Sequence, residues 1–177
     1  MYAALLASAA PTDAKVTRIV FNKTKSEPQA YNGKSFGNAG PYEKIEGTAY
    51  GELDPKDRRN AIIQDIQLAP RNSCGMVEYS VTFMLIKPVD LSKASGVLFY
   101  EVLNRGRKID PGGNEQGHSY LMSGWQGEIP PASGPDDTVS ETLQVPTAKN
   151  PDGSSITGPV LGRIKNTGGN TAPLMVY

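Results

Sequence analysis

Residues 96–103 read GVLFYEVL. Apart from Glu101, every position after the opening glycine is apolar or aromatic. A strand with one wet face alternates apolar and polar residues. A run that is apolar at every position suits a strand covered on both faces, as in a parallel or mixed sheet. This segment therefore points to a parallel or mixed sheet. Glu101 breaks the run, and a charge in a covered strand needs a partner. Arg105, four residues on, is the nearest candidate, so structural pairing is expected, with an acid catalyst as the alternative.

Strand signals continue on both sides. Residues 16–21, VTRIVF, and 42–53, YEKIEGTAYGEL, alternate loosely, and 61–68, AIIQDIQL, is short and apolar at alternate positions. In 77–86, VEYSVTFMLI, the residues Val77, Tyr79, Val81, Phe83 and Leu85 share an apolar face, against Glu78, Ser80 and Thr82 on the other. Residues 130–159 shift to Pro, Ser, Thr, Asp and Gly, with a short strand expected at 141–145. No segment of helical length carries a 3.6-residue period, although a free-standing α/β enzyme needs several helices. The last four residues, LMVY, read as another core-type strand. The residues predict a β-rich fragment of a longer domain over 11–177, with a mixed sheet and few helices.

Composition narrows the function. The 177 residues carry 18 basic and 18 acidic side chains and no basic stripe, which argues against a nucleic-acid partner. One cysteine, Cys74, excludes an intrachain disulfide framework and a multi-cysteine zinc site, and one histidine, His118, argues against a His-rich metal centre. Cys74 reads as a small turn residue. Residues 1–10, MYAALLASAA, end in Ala7-Ser8-Ala9, a small-residue pattern of the kind that precedes a signal peptidase cut. They read as a signal-peptide remnant, with export to the periplasm or exterior implied; a plain N-terminal tail is the alternative. No stretch has the length of a membrane-spanning helix.

Two stretches imitate a nucleophile elbow. GKSFG at 33–37 fits G-x-S-x-G with Ser35 at its centre, and GHSYL at 117–121 is a near match beside His118. An elbow works because a strand ends, turns sharply and opens a helix, which exposes the hydroxyl and supplies N–H groups to the oxyanion. KSEPQAYN precedes GKSFG and NAGPYEKIEG follows it, so a buried strand before and a helix after are both missing. Ser35 and His118 stay as candidate catalytic residues, with loop residues the structural alternative.

Several phrases are more specific together. They are FGNAGPYEKIEGTAYGELDP (36–55), NAIIQDIQLAPRNSCGMVEY (60–79), GVLFYEVLNRGRK (96–108), SGWQGE (123–128) and VPTAKNPDGSSITGPV (145–160). In this order they resemble the N-terminal half of exported bacterial "alpha/beta hydrolase domain-containing" proteins, an esterase-like family. The resemblance runs from about Val16 to Val160. It implies carboxylic ester hydrolysis through a serine, a small-molecule ester substrate, no cofactor, and a triad lying beyond Tyr177. In that fold the loop after the third strand supplies an oxyanion N–H. Asn104, Arg105 and Gly106 are the oxyanion-side candidates on this reading, with an ordinary strand-ending turn as the alternative. Trp125 and Gln126 are candidates for the pocket mouth, with a buried tryptophan as the alternative. The family pattern also implies a further strand before SGWQG, which GHSYLM meets almost directly, as though a strand were deleted. Two other readings stay open: a stand-alone β-rich binding module without chemistry, and a small complete hydrolase using Ser35 and His118.

Overall fold

The computed structural model describes residues 14–130 and 140–159. The LMVY run, residues 1–10 and most of the Pro-rich 130–140 stretch lie outside them. The strands are β1 (Ala14–Phe21), β2 (Ser35–Phe36), β3 (Gly40–Leu53), β4 (Val77–Pro88), β5 (Leu98–Val102), β6 (Ser119–Ser123) and β7 (Leu143–Gln144). They make one mixed sheet in the order β1-β3-β4-β6-β5, with β2 on β3 and β7 on β4. Pairing is antiparallel except between β5 and β6, which are parallel.

The backbone of the sheet is the β3–β4 ribbon, paired from Tyr42↔Pro88 to Leu53↔Val77. Two glycines let aromatic rings lie on it. A Cβ at Gly51 would stand 2.3 Å from the Tyr79 ring, and one at Gly47 would meet the Val20 carbonyl at 2.6 Å and the Phe83 ring at 2.8 Å. Phe21 and Phe83 pack edge to face in the space left there, ring centroids 6.4 Å apart.

The core sits on one face of the sheet at the end nearest Pro88. Tyr42, Met84, Ile86, Leu103, Met122 and Ala39 form it, with Tyr31, Phe36 and Tyr120 packed against them. Full burial of a side chain such as Ile86 contributes roughly 1.5–3 kcal/mol. Tyr42 brings its hydroxyl into that core and satisfies it by donating to the carbonyls of Asn114 and His118, 3.1 Å from each.

Four expectations need correction. Residues 61–68 do not form a strand but lie in the 3-10 turns Arg58–Ile62 and Ile66–Leu68. Asp57 caps the first turn through Arg59 N at 2.9 Å, and Asp65 takes a left-handed conformation, φ 55°. Local capping thus outweighs an alternation that Ile62, 90% exposed, does not use. In β4 the deeply covered side chains are Met84, Ile86 and Pro88, on the face that opens with Glu78 and Ser80, and Val77 at the start of the other face, where Val81, Phe83 and Leu85 are half-buried. The face with the continuous apolar pattern is therefore not the one the core covers. β5 is the edge strand, and Leu98, Phe99, Tyr100 and Val102 are each about half exposed, although their sequence reads as covered on both sides. Finally, the residues that meet SGWQG are themselves a strand: β6 is SYLMS and runs straight into Gly124.

Among the described residues all helical segments are short 3-10 turns, and no helix is long and apolar enough to cross a membrane.

Candidate functional site

Parallel β5 and β6 end at the same side of the sheet, so the loops that follow them meet. In open α/β sheets this carboxyl end of parallel strands is where ligands sit. Leu103, 1% exposed, anchors the loop after β5 in the core. The next three residues, Asn104–Gly106, form a 3-10 turn in which Arg105 (φ 49°) and Gly106 (φ 73°) are both left-handed. Gly106 is required twice over: a Cβ there would lie 2.3 Å from the Glu141 carbonyl oxygen, besides the strain of its φ. The Gly106 carbonyl accepts from Glu141 N at 2.7 Å, which ties the turn to the segment leading into β7.

The loop after β6 reaches across. Trp125 Nε1 donates to the Leu103 carbonyl at 2.6 Å while its ring stays half exposed. Gln126 Oε1 accepts from the backbone N–H of Arg105 at 2.7 Å. Gln126 Nε2 donates to Glu128 Oε1 at 2.8 Å, and Arg105 pairs with the same oxygen at 3.3 Å. Arg105 thus pairs with Glu128, and Glu101 stands exposed on the edge strand. The Arg105–Glu128 pair is open to solvent and contributes no more than about 1 kcal/mol. Asn104 is exposed; its carbonyl accepts from Arg107 N at 3.2 Å. The structure therefore brings Leu103, Arg105, Trp125 and Gln126 into one hydrogen-bonded cluster. Its key feature is a strand-ending backbone N–H that already holds a carboxamide oxygen.

The serine and histidine candidates fall elsewhere. Ser35 lies exposed in two-residue β2, between the 3-10 turns Ala30–Gly33 and Gly37–Ala39. The His118 ring is held by Ser95 Oγ, 2.8 Å from Nδ1, and packs edge-on against Phe99 at 5.3 Å. Ser95 Oγ also accepts from Val97 N at 3.1 Å, a local turn that fixes the approach to β5. This Ser95–His118 contact was not foreseen in the sequence, which places the two residues 23 positions apart.

A separate charged cluster joins the 3-10 turn Ala30–Gly33 to the loop after β5. Asp110 accepts from Tyr31 Oη at 2.5 Å and pairs with Lys44 Nζ at 2.7 Å. Burial works against the Asp110 carboxylate, but Lys44, Tyr31 and the Gly112 N–H outweigh it and hold its pKa below the usual aspartate range. Among the described residues no group of three or more His, Cys, Asp and Glu is placed to hold a metal ion. Cys74 is free and exposed, its N–H bound to Asn72 Oδ1 in a turn.

No family model, no curated protein and no solved structure matches the chain.

Proposed function

We propose that the chain is the N-terminal part of an exported, serine-dependent carboxylic ester hydrolase of the α/β-hydrolase type. The nucleophile, acid and histidine would come from sequence beyond Tyr177. The observation that carries the reading is the hydrogen bond from Arg105 N to Gln126 Oε1 at 2.7 Å. A carboxamide oxygen has the shape and polarity of an ester carbonyl oxygen, and the donor stands where the resemblance places an oxyanion N–H. The parallel β5–β6 pair supports the reading by putting both loops at one end of the sheet. The half-buried face carrying Val81, Phe83, Leu85 and Leu121 supports it as well, since an α/β domain covers such a face with helices.

In this mechanism the serine attacks the ester carbonyl carbon and the carbonyl oxygen becomes an oxyanion. Gln126 withdraws, and the oxyanion accepts the Arg105 N–H. The alcohol leaves with a proton from the histidine, and water then hydrolyses the acyl-enzyme. Loss of one oxyanion donor costs about 10²–10³ in kcat. The test is to read the coding DNA past the Tyr177 codon and express the extended chain with a fluorophosphonate label. A labelled serine in a G-x-S-x-G before a helix supports the reading. A stop codon directly after Tyr177, or a label on Ser35, contradicts it.

A stand-alone β-rich binding module is the second reading, favoured by a continuous sheet with its own core cluster. A sharp cooperative melt of the 177-residue chain supports this module; a broad melt with aggregation through the β5 edge supports the hydrolase part.

A further inference from the structure

The face of the sheet that holds the core at one end turns polar at the other. A cleft of about 360 Å³ opens there over β3 and β4. Its floor follows from strand alternation. Thr48 lies across from Thr82, and Tyr50 across from Ser80, so four hydroxyl side chains share this face. The wall is the segment from Ser140 to Gln144. Several links hold it, among them the pairing of β7 with Ser80 and Val81 and the bond from Thr142 N to Thr82 Oγ1 at 2.8 Å. Asn22 and Lys25, from the turn after β1, complete the lining.

Charge gathers in one part of the cleft. Lys108 Nζ lies 3.0 Å from Glu46 Oε1 and 3.3 Å from Glu141 Oε1. Glu141 is 3% exposed, and burial pushes its carboxyl above the usual glutamate value, with Thr82 and Lys108 pulling the other way. Its Oε1 has no hydrogen-bond partner, so the Lys108 contact is an ion pair without hydrogen-bond geometry. The hydroxyls of Thr48 and Ser80 likewise have no protein partner among the described residues.

We infer that this cleft binds a small, neutral, polyhydroxylated molecule of monosaccharide to disaccharide size. Charge decides the class. Lys25 and Lys108 face Glu46 and Glu141, so the lining has no net charge to attract an anion or a cation. A sugar hydroxyl both donates and accepts: it donates to a carboxylate such as Glu46, which lines the cleft, and exchanges hydrogen bonds with Thr48 and Ser80. The volume lies within the range of small-ligand sites, roughly 300–1,000 Å³. The inference stands independently of the hydrolase reading.

The test is an amide NMR titration of the 177-residue chain with methyl glucoside, maltose and myo-inositol. The expected result is saturable shifts at Thr48, Ser80, Thr82 and Glu141 for at least one of the three, with a Kd in the range of about 1–50 mM. The double variant Thr48→Val with Ser80→Ala keeps shape and removes two free hydroxyls; it weakens binding about tenfold. Absence of saturable shifts with all three probes overturns the inference. So does binding that the double variant leaves unchanged, or shifts confined to residues outside the cleft.

Discussion

The two faces of the sheet alternate along the same strands but meet their surroundings differently. On one face Tyr42, Met84, Ile86 and Met122 are sealed, because Ala39, Phe36 and Leu103 from the connecting loops fold over them. On the other, Ile19, Phe21, Leu98, Tyr100 and Val102 are half exposed or more, and Val81, Phe83, Leu85 and Leu121 only half covered. Strand composition records what a face is made to bury. Cover from other elements decides what it buries. Here the β4 face with the clearer apolar pattern is buried only at Val77 and half covered from Val81 to Leu85.

The comparison breaks most visibly under truncation. Ile86→Ala, at 0% exposure, should cost about 3–4 kcal/mol. Leu98→Ala, at 55% exposure, should cost less than about 1 kcal/mol. Urea unfolding of both variants checks this, and similar costs would mean that the second face is packed as well as the first. Gly106→Ala comes next, at about 2–3 kcal/mol, because the new Cβ meets the Glu141 carbonyl and the φ of 73° is unfavourable for alanine. Gly112→Ala, with a similar φ of 78° but nothing within 4 Å, should cost only about 1 kcal/mol in the same assay.

The polar end of the covered face predicts a smaller, pH-dependent effect. The folded pKa of Glu141 is raised above its ordinary value of 4.5, so the folded state holds this proton more tightly than the unfolded chain. Its contribution is complete below the unfolded value and is lost as pH rises through the folded pKa. Asp110 has the opposite sign. Its lowered pKa gives stability that is present above 3.8 and is lost as pH falls through the folded value. Unfolding free energies across pH 3–8 should therefore decline on both sides. Glu141→Gln should flatten the alkaline decline and Asp110→Asn the acidic one; a Glu141→Gln profile that keeps the wild-type slope above 4.5 would contradict the assignment.

Much of the fold was legible because it rests on local pattern. The ranges of β1, β3 and β4 follow their alternation, and the loop Asn104–Gly106 was marked by a polar, glycine-containing turn after an apolar run. Its contact with Gln126 was not, since the two loops meet only through the parallel crossover that places β6 between β4 and β5. The turn at Asp65 was misread because capping and a left-handed φ leave no trace in hydrophobic period. The Lys108–Glu46–Glu141 cluster was missed for a similar reason. Its members are spread over some ninety residues of sequence, and nothing in their spacing brings them together.

The central claim is that this part of the chain holds an oxyanion-side loop without the nucleophile and base of the reaction. The most direct measurement is p-nitrophenyl acetate turnover by the 177-residue chain beside its Ser35→Ala, Ser95→Ala and His118→Ala variants. The account predicts the same background rate for all four proteins. Turnover that is abolished by any one of the substitutions would contradict it and place the catalytic serine or histidine within the chain.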